Sequence, residues 1–103
     1  VPTTIPTEGS VSGDPYPGAF AALSPSDQAA FACIRQAESG DTYTDDTGNG
    51  YYGAYQFMEG TWLGIGESGY PNGAAPVVQD DGAAALMERS GWGQWSTATG
   101  CGR

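Results

Sequence analysis

The stretch Ile34-Arg35-Gln36-Ala37-Glu38-Ser39-Gly40, followed further on by Tyr55-Gln56-Phe57-Met58-Glu59-Gly60-Thr61-Trp62, decides how the rest of the chain is read. Ahead of Glu38, apolar residues recur at Ala30, Cys33, Ile34 and Ala37, the three-and-four spacing of a helix face turned toward a core. Glu38 stands four residues after Ile34 and projects from that face, close to the helix end that Ser39-Gly40 predicts. A carboxyl group there is partly shielded from water, which favours its neutral form. A neutral carboxyl is what a general acid must present.

Working outward, Ser24-Pro25-Ser26-Asp27 reads as a helix start. Ser24 can accept backbone N–H groups, Pro25 suits the first helical position, and Asp27 sits at the positive end of the helix dipole. The first helix is therefore predicted over 25–38, with Cys33 on its buried side. The polar, Gly-rich segment 41–53 predicts loops or a small hairpin with tight turns at Gly48 and Gly50. Gly48 to Gly53 spells GxGxxG, but no apolar strand precedes it and no βαβ unit surrounds it, so it reads as a turn and not a dinucleotide site. Asp45 to Gln56 echoes a calcium loop with Asn49 and Gly50 in place, yet Thr47 stands third and Gln56 replaces the bidentate glutamate. No metal or cofactor is expected.

A short helix is predicted over 58–65, carrying Thr61 and Trp62. A third is predicted over 76–90 from Val77, Val78, Ala84, Ala85 and Leu86, although Gly82 weakens it by about 1 kcal/mol relative to alanine. Gly91 ends it, and the tail from Trp92 is expected to return toward the first helix.

At 103 residues with 17 Gly and 7 Pro the chain holds one loop-rich domain. Twelve acidic against three basic residues give a formal charge of −9, which argues against nucleic acid and anionic membrane surfaces as partners. There is no histidine, which excludes Ser-His-Asp and Cys-His catalysis and imidazole metal sites. No apolar run approaches the roughly 20 residues needed to cross a bilayer, and no basic and apolar leader opens the chain, so it reads as a mature or excised segment. Residues 1–23, rich in Pro, Thr, Ser and Gly, read as a linker or extended arm that Tyr16 and Phe20 would anchor; 24–103 reads as the folded domain. Cys33 and Cys101, 68 positions apart, are far from any CxxC spacing and are read as a disulfide closing a small core.

Glu38-Ser39-Gly40, Thr47 to Gly53, Gln56-Phe57, Thr61-Trp62 and Gly91-Trp92-Gly93-Gln94-Trp95 together closely resemble the transglycosylase-like domain of resuscitation-promoting factors, relatives of lysozymes and lytic transglycosylases. The resemblance covers 24–101. It implies a small, mainly helical α+β lysozyme-like fold with a short β-hairpin and one disulfide, in a secreted, wall-associated, monomeric enzyme. The implied substrate is the MurNAc–GlcNAc backbone of peptidoglycan. Glu38 would be the general acid and base, with Thr61 beside it to orient the carboxyl group. Gln56 is the implied substrate-facing amide, Asn49 is assigned to the substrate-binding set, and Tyr51, Tyr52, Trp92 and Trp95 offer stacking faces to sugar rings. In the family a cysteine stands immediately before the glutamate; Cys33 lies one helical turn earlier. No second carboxylate is evident, since Asp45, Asp46 and Glu59 match no dependable acid of the family. That favours lytic transglycosylation over hydrolysis, the alternative being a hydrolytic muramidase or a non-catalytic wall-binding or signalling module.

Overall fold

Three helices carry the chain from its first anchored turn to its bridged tail. The computed structural model describes residues 13–103, so most of the segment read as an arm, 1–12, lies outside the described residues. Helix α1 spans Pro25–Ser39, α2 Glu59–Gly64 and α3 Pro76–Ser90, with short 3-10 turns at Pro71–Gly73, Trp92–Gln94 and Ser96–Cys101. The Ser24 hydroxyl accepts from the Asp27 N–H at 3.1 Å, and Gly40 closes α1 in the left-handed conformation. Local chemistry thus sets both ends of the helix that carries Glu38.

The buried face of α1 is Ala30, Phe31 and Ile34, while Cys33 and Ala37 are exposed. This corrects the expected stripe: Phe31, an aromatic one residue outside the assumed pattern, turns the helix so that its ring is buried. Phe31 sits at the centre of an aromatic core, 4.6 Å between centroids from Trp92, and edge-on to Tyr55 at 5.7 Å and Trp95 at 5.4 Å. Such tilted and edge-on pairs contribute about 0.5 to 1.5 kcal/mol each beyond burial. Glu38, seven residues after Phe31, lies half-buried on the border of this face.

The expected β-hairpin is absent, and no strand occurs among the described residues. Asp46, Tyr52 and Phe57 form only isolated bridges. Tyr52 and Phe57 exchange two 2.9 Å backbone bonds, and left-handed backbone at Gly48, Gly50, Gly53 and Gln56 interrupts any extended run on either side. Gly53 is also sterically required, because a Cβ there would stand 2.5 Å from Oε1 of Gln79. Fully buried Gln79 accepts from the Ala54 N–H at 3.0 Å and donates to the carbonyls of Tyr43 and Ala74, lacing three loop segments to α3.

One turn further along α3, Gly82 admits the indole of Trp62: a Cβ at Gly82 would meet that ring at 2.8 Å. The helix-weakening glycine is therefore a close-approach site. Residues 13–23 are turned and packed here. Asp81 accepts from the backbone N–H groups of Gly18 at 3.3 Å and Phe20 at 2.8 Å, the Tyr16 hydroxyl donates to the Ile65 carbonyl, and Phe20 packs on Phe31. Asp14 and Glu67 face the same region, each with one buried oxygen lacking a partner among the described residues. Burial, then the nearby charges of Asp14 and Asp81, push the Glu67 carboxyl up to about 7.

Cys33 and Cys101 form the expected disulfide, with Cα atoms 5.7 Å apart. The tail beyond it ends with Arg103 on Asp27 at 2.8 Å and over the Trp92 ring at 5.5 Å.

Candidate active site

The end of α1 is held on every side. The Ser39 hydroxyl donates to the Ala54 carbonyl at 2.8 Å and accepts from the Thr42 N–H at 3.0 Å, tying the helix terminus to the chain leading into Gln56. One turn earlier, Arg35 donates to the Tyr55 hydroxyl at 2.8 Å and to Asp41 at 2.7 Å, while Tyr55 and Tyr43 both donate to Asp80. Burial, together with the neighbouring Asp80, raises the Tyr55 and Tyr43 hydroxyls above their ordinary range, so both stay protonated as donors. Glu38 thus projects from a fixed platform.

It opens into a hollow of about 460 Å³ walled by Glu38, Asn49, Tyr51, Gln56, Gly93, Gln94, Trp95 and Ser96. A second hollow, of about 210 Å³, shares Tyr51, Gln56, Gln94 and Trp95 and adds Phe57, Met58, Thr61 and Leu86. The shared walls make the two one groove. Among the residues lining it, Glu38 is the only carboxylate.

Of the residues assigned from sequence, Glu38, Asn49, Tyr51, Gln56 and Trp95 come together. Tyr51 is 44% exposed and offers a ring face, whereas Trp95 is 5% exposed and spends its indole N–H on the Tyr55 carbonyl at 3.1 Å, so it acts as a rigid floor. Gln56 holds left-handed backbone at φ 55°. Its amide N–H groups are taken by Asp45 at 2.8 Å and the Gly53 carbonyl at 2.9 Å, which leaves the amide oxygen as an acceptor for a sugar hydroxyl or acetamido N–H. Strained backbone of this kind is found where a side chain must be aimed.

Tyr52 and Trp92 lie apart from the groove: Tyr52 packs against Tyr70 at 5.1 Å, and Trp92 is sandwiched between Phe31 and Arg103. Thr61 lines the second hollow only. The hydroxyl on Glu38 is that of Thr97, which donates to Oε2 at 2.8 Å. Sequence reasoning passed over Thr97 because a lone threonine in an irregular tail carries no periodicity. Its signal was register, four residues before Cys101, while Glu38 is five after Cys33. Ser96, a further wall, carries no more signal than Thr97, whereas Gln94 lies inside the Gly91 to Trp95 motif, whose tryptophans alone drew an assignment. Among the described residues no group of three or more Asp, Glu or Cys side chains is arranged to hold a metal ion, and no helix is long and apolar enough to cross a membrane.

The family model for the transglycosylase-like domain matches residues 11–98. The resuscitation-promoting factor Rpf of Micrococcus luteus is 39% identical over 62 residues, covering 60% of this chain and 28% of that protein. RpfD of Mycobacterium tuberculosis is 38% identical over 68 residues, 66% of this chain and 44% of the relative. RpfE of the same species is 39% identical over 70 residues, 68% and 39% respectively. The chain spans less than half the length of each of these relatives.

Proposed function

The chain belongs to the transglycosylase-like domain family of resuscitation-promoting factors, and from that premise and the groove we propose that it cleaves the MurNAc–GlcNAc backbone of peptidoglycan as a lytic transglycosylase outside the cell. The observation that carries this reading is the single carboxylate in an aromatic-walled, amide-lined groove. Hydrolysis calls for a second carboxyl group about 5 to 5.5 Å away as nucleophile, or about 6.5 to 9.5 Å away to activate water. Asp45 is engaged with Gln56, Asp46 caps the turn at Gly48, and neither they nor Glu59 line the groove.

The chemistry follows from one acid and the substrate itself. Glu38 gives its proton to the oxygen linking MurNAc C1 to GlcNAc, and that C1–O bond breaks. The 2-acetamido oxygen of MurNAc supports the electron-poor C1. Glu38, now a carboxylate, takes the proton from the MurNAc C6 hydroxyl as its oxygen bonds to C1, closing a 1,6-anhydro ring and consuming no water. The Gln56 amide oxygen and Asn49 orient the sugar, Tyr51 stacks on it, and Thr61 offers a hydroxyl further along the groove.

Glu38→Gln tests the assignment, since it keeps the shape and cannot donate the proton. Loss of turbidity clearance of purified walls, by about a hundredfold or more, is expected in a variant that melts like the parent. Near-parental clearance would refute it.

A further inference from the structure

We propose that Thr97 is the positioning residue for Glu38 and that the disulfide sets it in register. The inference rests on Glu38 being the acid. The tail runs antiparallel to α1, pinned at three points: Thr97 on Glu38, Cys101 on Cys33, and Arg103 on Asp27. From Cys33 to Glu38 are five helical residues, about 7.5 Å at 1.5 Å each. From Thr97 to Cys101 are four 3-10 residues, about 8 Å at 2.0 Å each. The two paths match, so closing the bridge at one end brings the hydroxyl against the carboxyl at the other.

Placed there, the Thr97 O–H donates to Oε2 in both halves of the reaction. While Glu38 is neutral, the bond occupies Oε2 and keeps the acidic proton on Oε1, the oxygen left for the substrate. Once that proton has gone to the glycosidic oxygen, the same O–H faces a carboxylate and its hydrogen bond strengthens. It also holds one rotamer of a side chain that makes no other hydrogen bond among the described residues. The donor therefore favours the ionised product of proton donation and, in the second half, the orientation in which Oε1 receives the C6 proton.

Thr97→Val removes the donor and keeps the shape, whereas Thr97→Ser keeps the donor. Kinetics on soluble glycan fragments of peptidoglycan separate the two. The valine variant is expected to lose about tenfold in kcat with little change in KM, the loss of one hydrogen bond to a charged group. Thr97→Ser should restore kcat. A valine variant with parental kcat, or a serine variant as impaired as valine, overturns the proposal while Glu38→Gln remains inactive. An active Glu38→Gln would instead remove the acid itself and the proposal with it. Should the valine variant not fold, Thr97→Ala against Thr97→Ser makes the same comparison.

Discussion

Replacing Glu67 by glutamine should flatten the pH dependence of stability. Glu67 is 5% exposed, with one oxygen that has no partner among the described residues, beside Trp62 and α3. Its carboxyl is pushed from an ordinary 4.5 to about 7, first by burial and then by the charges of Asp14 and Asp81. Because the folded value lies above the unfolded one, the folded state holds the extra proton. Stability is complete below about pH 4.5 and is lost as pH rises through about 7. At about 1.4 kcal/mol per pH unit the whole effect is about 3 kcal/mol, of which about 2 to 3 falls between pH 5 and pH 8. Asp81, raised to about 7 by burial and then by Asp14, acts in the same direction. Urea unfolding at pH 5 and pH 8 should show the parent markedly less stable at pH 8. In Glu67→Gln that difference should shrink by about 2 kcal/mol or more, whatever the variant's absolute stability. Parallel pH dependence in the two proteins would refute the argument, since the buried amide cannot ionise.

Other consequences can be checked alongside. Gly82→Ala should raise helix propensity yet destabilise by about 1 to 3 kcal/mol, because the added methyl must displace the Trp62 ring; a higher melting temperature would contradict the packing described. Cys33→Ser with Cys101→Ser opens a 68-residue closure and should lower stability by about 4 kcal/mol on the loop-entropy model, measured by denaturant unfolding of the oxidised parent and the double variant. Gln56→Leu deletes the proposed acceptor and should weaken substrate binding about tenfold, seen as a raised KM with the fold intact; an unchanged KM would remove Gln56 from the site.

Where local chemistry decides, the sequence was legible. Ser24-Pro25 and Ser39-Gly40 bounded α1 to within a residue of 25–38, and Pro76 and Gly91 bounded α3. The pairing of Cys33 with Cys101 was readable because two cysteines in so small a chain leave one intramolecular choice. Where tertiary packing decides, the reading went astray. Phe31 rotated the buried face away from Cys33 and Ala37, and the Gly-rich turns that suggested a hairpin are too left-handed to sustain one. Gly82 is a seat for Trp62, visible only once α2 and α3 face each other. Glu38, Asn49, Tyr51, Gln56 and Trp95, far apart in sequence, line one groove. Gln94 stands beside Trp95 in the same motif, while Ser96 and Thr97 lie in the tail before the bridge, where no local pattern marks them.

Cleavage by one acid without an attacking water is decided by digesting purified peptidoglycan in water enriched in heavy oxygen and weighing the released muropeptides. The expected products carry 1,6-anhydroMurNAc ends, each lighter by one water than a reducing end and free of label. Reducing ends carrying heavy oxygen, without anhydro sugars, would contradict it and require a second carboxylate, to be sought at Asp45, Asp46 or Glu59.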